Sequence, residues 1–92
     1  MNDIGWAVKQ LWEGSRVCRA GWNGKGMWLI LFTPDPEMTS ENGFVIQTPA
    51  EQLDLEGVTA LPWVGMKTAD NKFVPWLCSQ TDLLATDWEI AA

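Results

Sequence analysis

Ile4, Val8, Leu11 and Trp12 recur at i, i+4, i+7 and i+8, which places them on one face of a helix. Asp3 stands where an N-cap belongs and Gly14 where the helix would stop, so the spacing predicts a helix of about ten residues. Beyond it, Arg16 to Trp22 mixes β-branched and apolar residues, and Met27 to Thr33 is a short, nearly continuous apolar run. Asn23-Gly24 and Gly26 lie between them and predict a hairpin whose second strand is buried. Phe44 to Thr48 reads as a strand. Thr48-Pro49-Ala50-Glu51 then shows the cap, first-turn proline and third-position Glu of a short helix ending near Gly57. The last third predicts a strand through Trp63 to Thr68, a turn at Ala69 to Lys72, and a strand through Phe73 to Leu77. Ser79-Gln80-Thr81-Asp82 opens a short helix, with Ser79 as cap and Asp82 completing a reciprocal cap, before an extended stretch at Trp88 to Ile90. The sum is an α+β domain: a small antiparallel sheet with an N-terminal helix and a short C-terminal helix, free of internal repeats and low-complexity segments.

Length and charge narrow this picture. The chain has 92 residues and is expected to form a single domain, 1–92. A chain this short buries only about 60 to 65% of the surface its unfolded form exposes, so oligomerisation is expected to support the core. The formal charge is -6, from twelve Asp and Glu against six Lys and Arg. Six of the acids (Asp35, Glu37, Glu41, Glu51, Asp54, Glu56) and four of the five prolines fall in 34–62, which has no Lys or Arg. That stretch reads as an acidic, proline-rich insertion between two more regular blocks. Six bases against twelve acids do not build a stripe that tracks phosphates, so a nucleic-acid partner is not expected. There is no histidine, and Cys18 and Cys78 stand far apart, which excludes zinc sites and histidine-based nucleophilic catalysis. Met1 to Lys9 lacks a basic start followed by an apolar stretch, so reduced cysteines and a cytoplasmic location are expected. The apolar run Met27 to Phe32 is far short of the roughly 20 residues that span a bilayer, and no membrane partner is expected.

Two segments carry candidate chemistry. Seven tryptophans are more than so small a core can hide with every indole N–H satisfied, so some are expected to be exposed or at an interface. The loop Gly21-Trp22-Asn23-Gly24-Lys25-Gly26-Met27 is a turn built on Asn-Gly, and the same glycines bare amides to which Lys25 adds a point charge. A β-turn and a phosphate cradle are both compatible with it. In Val74 to Asp82, a capped helix start is one reading. The other makes Trp76 a stacking platform beside a donor and acceptor edge of Gln80, Thr81 and Asp82. Arg16 and Arg19 are expected on a solvated face near Glu13. No carboxylate pair is tied to a nucleophile, so catalysis gains no support and no cofactor is implied. Up to this point the ligand is open.

Arg19 to Met27, Met66-Lys67-Thr68-Ala69-Asp70, Val74-Pro75-Trp76, Ser79 to Ala85 and Asp87-Trp88 together resemble the Thoeris anti-defence 2 family of small phage and prophage proteins. The resemblance covers 14–33 and 63–90. It implies a homo-oligomer, tetrameric in known relatives, that acts as a sponge: it holds the cyclic ADP-ribose isomer made by Thoeris TIR-domain enzymes without cleaving it. Some relatives also take up cyclic dinucleotides. In that role Trp22 and Trp76 would flank the base. Asn23, the amides of Gly24 to Gly26 and Lys25 would address the pyrophosphate, and Gln80, Thr81 and Asp82 the ribose or the adenine edge, with Ser79 beside them among the ligand-binding residues. The competing reading is an acidic phage protein that inhibits a host enzyme by direct protein binding, with tryptophans as anchors.

Overall fold

The computed structural model describes residues 1–33, 44–55 and 57–91. They fall into two compact units, 1–32 with 63–92, and 33–62.

The first unit begins with helix α1, Ile4–Trp12. Asp3 caps it, its Oδ1 accepting the Trp6 N–H at 2.9 Å, and the chain leaves through Gly14 at φ +91°. Strands β1 (Val17–Arg19), β2 (Trp28–Phe32), β5 (Trp63–Lys67), β6 (Phe73–Pro75) and β7 (Trp88–Ile90) form one antiparallel sheet in the order β6-β5-β2-β1-β7. Helix α2, Gln80–Leu83, lies between β6 and β7 in the chain and is capped by Ser79, whose Oγ accepts the Asp82 N–H at 3.1 Å. The α+β reading therefore holds, and so do the positions of the N-terminal helix, the strands after residue 62 and the short helix.

Val17 pairs with Leu29 on one side and with Ile90 on the other. Because side chains alternate across a strand, Val17, Leu29 and Trp88 share the inner face. There they pack with Ala7 and Leu11 of α1 into the buried core. The outer face carries Cys18, Glu89, Trp28, Ile30, Lys67 and Phe73, as the same registers require. The expected burial of the whole second hairpin strand is thus corrected. In β2 only Leu29 is fully buried, because α1 covers one face of the sheet and Trp28, Ile30 and Phe32 alternate onto the other.

The second unit holds a two-stranded antiparallel hairpin, β3 (Phe44–Gln47) with β4 (Gln52–Leu55), in the register Gln47↔Gln52. A strand stands where the Thr48-Pro49-Ala50-Glu51 signal predicts a helix. Thr48 Oγ1 does accept the Glu51 N–H at 2.9 Å, as a helix cap would. Its backbone N–H, however, donates to Glu51 O at 2.8 Å and closes a turn between two strands. The cap chemistry is the same; the ladder beyond it decides the outcome. Pro34, Asp35, Pro36, Glu37, Glu41 and Glu56 of the acidic stretch lie outside the described residues.

Candidate functional site

β1 ends at Arg19, and a single 3-10 turn, Ala20–Trp22, leads into the glycine-rich loop before β2 starts at Trp28. Asn23 (φ 59°) and Gly24 (φ 64°) are both left-handed, the conformation expected of an Asn-Gly turn, and Gly26 comes next at φ 74°. Lys67 of β5 donates to Gly26 O at 2.9 Å and fastens the far end of the loop to the sheet.

The near end is fastened by Arg19. Its Nε donates to Asp87 Oδ1 at 2.7 Å and its Nη1 to Asp82 Oδ1 at 2.7 Å, with the side chain only 16% exposed. The expectation of a solvated arginine is overturned here. β7 pairs with β1 so that Arg19 faces Trp88, which brings both aspartates to the guanidinium. Asp87 Oδ2 also accepts the Gly21 N–H at 2.8 Å. A Cβ at Gly21 would come within 2.9 Å of that oxygen, so glycine is required by this close approach. The Arg19 hydrogen bond, helped by the Gly21 amide, holds the Asp87 carboxyl below the usual carboxylate value. Arg16, the other basic residue of this segment, lies over the Trp28 ring at 4.4 Å.

Between the loop and β7 opens a cleft of about 260 Å³. Of the residues singled out from the sequence, Trp22, Gly24, Lys25 and Gly26 line it, joined by Arg19, Trp28, Cys18 and Glu89. Asn23 is exposed at the turn and is not on the lining. Trp76, Ser79, Gln80, Thr81 and Asp82 are not on the lining either. Trp76 packs edge-on against Trp88 at 6.0 Å, as Trp22 does at 5.5 Å, so the buried Trp88 ring is the common neighbour of both. Ser79 is spent as the α2 cap, Gln80 and Thr81 are exposed on α2, and Asp82 is turned to Arg19 instead of completing a reciprocal cap. The two sequence segments are nevertheless joined, through the Arg19–Asp82 pair.

Lys67 and Asp87 stand in motifs that carry the family resemblance but receive no role from the sequence, and sequence reasoning passes over Trp28 and Glu89. Lys67, Asp87 and Glu89 act through partners far away in the chain, so no local spacing marks what they do. Cys18 donates to Glu89 Oε1 at 3.8 Å, and burial, reinforced by that carboxylate, pushes the thiol pKa up. Cys78 is raised as well, by burial and by Asp82. Neither sulfur is an activated nucleophile. Among the described residues no three His, Cys, Asp or Glu converge as a metal site would need, and no helix is long and apolar enough to cross a membrane.

Comparison with known proteins adds two findings. The family model for the Thoeris anti-defense 2-like domain matches residues 2–91, including the acidic stretch. A Bacillus phage SP01 protein named Thoeris anti-defense 2 is 39% identical over 89 residues, which cover 97% of this chain and 93% of the phage protein.

Proposed function

The chain belongs to the Thoeris anti-defense 2-like family, and from that membership we propose that it counters Thoeris defence by binding the cyclic ADP-ribose signal of the system's TIR enzymes and holding it uncleaved. The observation that carries the reading is the cleft, where two tryptophans, a lysine and bare loop amides meet beside a carboxylate. Such a ligand has a base to stack, a pyrophosphate with about two negative charges and ribose hydroxyls, and each has a counterpart here. Trp22 and Trp28 offer aromatic faces, each stack being worth roughly 1 to 3 kcal/mol. Lys25 and the amides of Gly24 and Gly26 serve the pyrophosphate, with Asn23 at the tip of the same turn. Trp76, Ser79, Gln80, Thr81 and Asp82 enter the site through Arg19, which lines the cleft while Asp82 holds it at the start of α2.

Sequestration, rather than hydrolysis, suits these groups. Arg19 occupies Asp82 and Asp87, and the Cys18 thiol beside Glu89 is held protonated, so the cleft offers contacts without an activated nucleophile. A sponge must outcompete the host sensor at low signal concentration. That calls for nanomolar binding, about -12 kcal/mol, and hence a site rigid before the ligand arrives. The clamps at Arg19 and Lys67 supply that rigidity. The protein acts in the cytoplasm of the infected bacterium, where the signal is made.

Calorimetric titration with the TIR-derived cyclic ADP-ribose, beside ADP-ribose and a cyclic dinucleotide, tests the reading when combined with heat denaturation and chromatography of the ligand. Nanomolar binding and intact release are expected, and Lys25→Ala should weaken binding about tenfold or more, the loss of one charge-assisted phosphate contact. Recovery of linear ADP-ribose would instead identify an enzyme. Heat with none of the three ligands would leave direct inhibition of a host protein.

A further inference from the structure

The cleft has a second polar pole that the loop does not explain. Glu89 on β7 lies directly opposite Cys18 on β1, on the outer face of the sheet, and lines the same cleft as Lys25. Three carboxylates surround this region, and they are not equivalent. Asp82 and Asp87 are both taken by Arg19, and Asp87 also by the Gly21 amide. Glu89 has one partner among the described residues, the Cys18 thiol at 3.8 Å, a weak donor. Among those residues no ion pair joins it to Lys25. It therefore keeps nearly all of its capacity to accept hydrogen bonds, within a cleft whose other polar side chains, those of Cys18, Arg19, Trp22, Lys25 and Trp28, are donors.

We propose that Glu89 is the specificity-determining residue of the cleft: it accepts the ribose hydroxyls of a pyrophosphate-linked nucleotide and disfavours polyanions that carry no sugar. This rests on the reading of the cleft as a cyclic ADP-ribose site and assigns to Glu89 the sugar contact that spacing alone would place on Asp82. The physics acts in two directions. A carboxylate facing a diol accepts two charge-assisted hydrogen bonds, which strengthens binding. The same carboxylate near a bare pyrophosphate adds like-charge repulsion that Lys25 and the loop amides must overcome. The cleft thereby selects a molecule whose negative charge is confined to one end and whose other end offers O–H donors. A sponge needs this discrimination, because inorganic phosphates and pyrophosphate compete for any bare amide cradle.

Opposite signs make the proposal testable. The wild type and Glu89→Gln are titrated with the TIR-derived cyclic ADP-ribose, and inorganic pyrophosphate is then measured as a competitor for the same bound ligand. Gln keeps the size of Glu and removes the charge. Glu89→Gln is expected to weaken cyclic ADP-ribose about tenfold, the effect of losing charge-assisted bonds, while pyrophosphate competes at least as well as before. The ratio of the two affinities should fall about tenfold or more. A ratio that stays the same, whether both ligands are unaffected or both weaken together, overturns the assignment, since a merely structural role would move both alike. A thermal melt of each variant identifies a general loss of fold. If the wild type binds no cyclic ADP-ribose, the cleft reading itself fails. If the wild type binds tightly and the ratio does not move, only the Glu89 assignment fails.

Discussion

Arg19 shapes this site from a side chain only 16% exposed. Its guanidinium ties β1 to Asp87 before β7 and to Asp82 on α2, and through Asp87 it sets the position of the Gly21 amide. Arg19→Ala leaves the Asp82 and Asp87 carboxylates side by side without their shared partner, so it should lower the melting temperature clearly more than Arg16→Ala, which removes only a contact over the Trp28 ring. The pH dependence is set by the sign of the Asp87 shift. Its carboxyl titrates below the ordinary value in the folded protein, because Arg19 and the Gly21 amide favour the charged form. The stability it contributes is complete above the unfolded carboxylate value and is lost as pH falls through the lowered folded value. Thermal melts should therefore be insensitive to this group from neutral pH down to about pH 5 and fall below about pH 4. Asp87→Asn should start from a lower melting temperature and show a shallower acid limb.

Among the elements, helix α1 was plain in the sequence because its signals are local: a 3.6-residue stripe, a cap three residues before the amide it binds, and a glycine exit. Asp3→Ala should cost about 1 kcal/mol in chemical denaturation, the usual worth of an N-cap. The Thr48 to Glu51 segment shows the opposite case. The cap, proline and acid are all present, yet the turn they make joins β3 to β4, since a cap fixes how an element starts and not how the chain continues. On β5, Gly65 lies opposite Pro75, and a Cβ there would overlap the Phe73 ring. The aromatic ring takes the place of the missing side chain and pins the edge strand β6. Gly65→Ala should destabilise by about 1 to 3 kcal/mol through overpacking. Adding Phe73→Ala should cost less in that background than in the wild type, a coupling that a double-mutant cycle would read.

For the whole molecule, the sheet has two unlike faces. α1 closes the inner one, while Phe32, Trp63 and Phe73 form a row on the outer one, with ring centroids 5.3 and 6.1 Å apart, and all three are exposed. An exposed aromatic row of this kind suits self-association. Native mass spectrometry should show an oligomer for the wild type and smaller species for Trp63→Glu. The sequence by itself determined the α+β class, the positions of α1, α2 and most strands, the glycine-rich turn with its left-handed Asn-Gly, and the family, because each is written in the order of residues within short windows. The tertiary structure alone decided which groups meet. β7 returns beside β1, across almost the whole chain, and that pairing turns Arg19 inward to Asp82 and sets Glu89 in the cleft with Lys25. The reason is physical: capping and turn formation are local free energies that neighbouring residues settle, whereas the pairing of charges and the walls of a cleft are settled by strand register, which a stretch of sequence read alone does not contain.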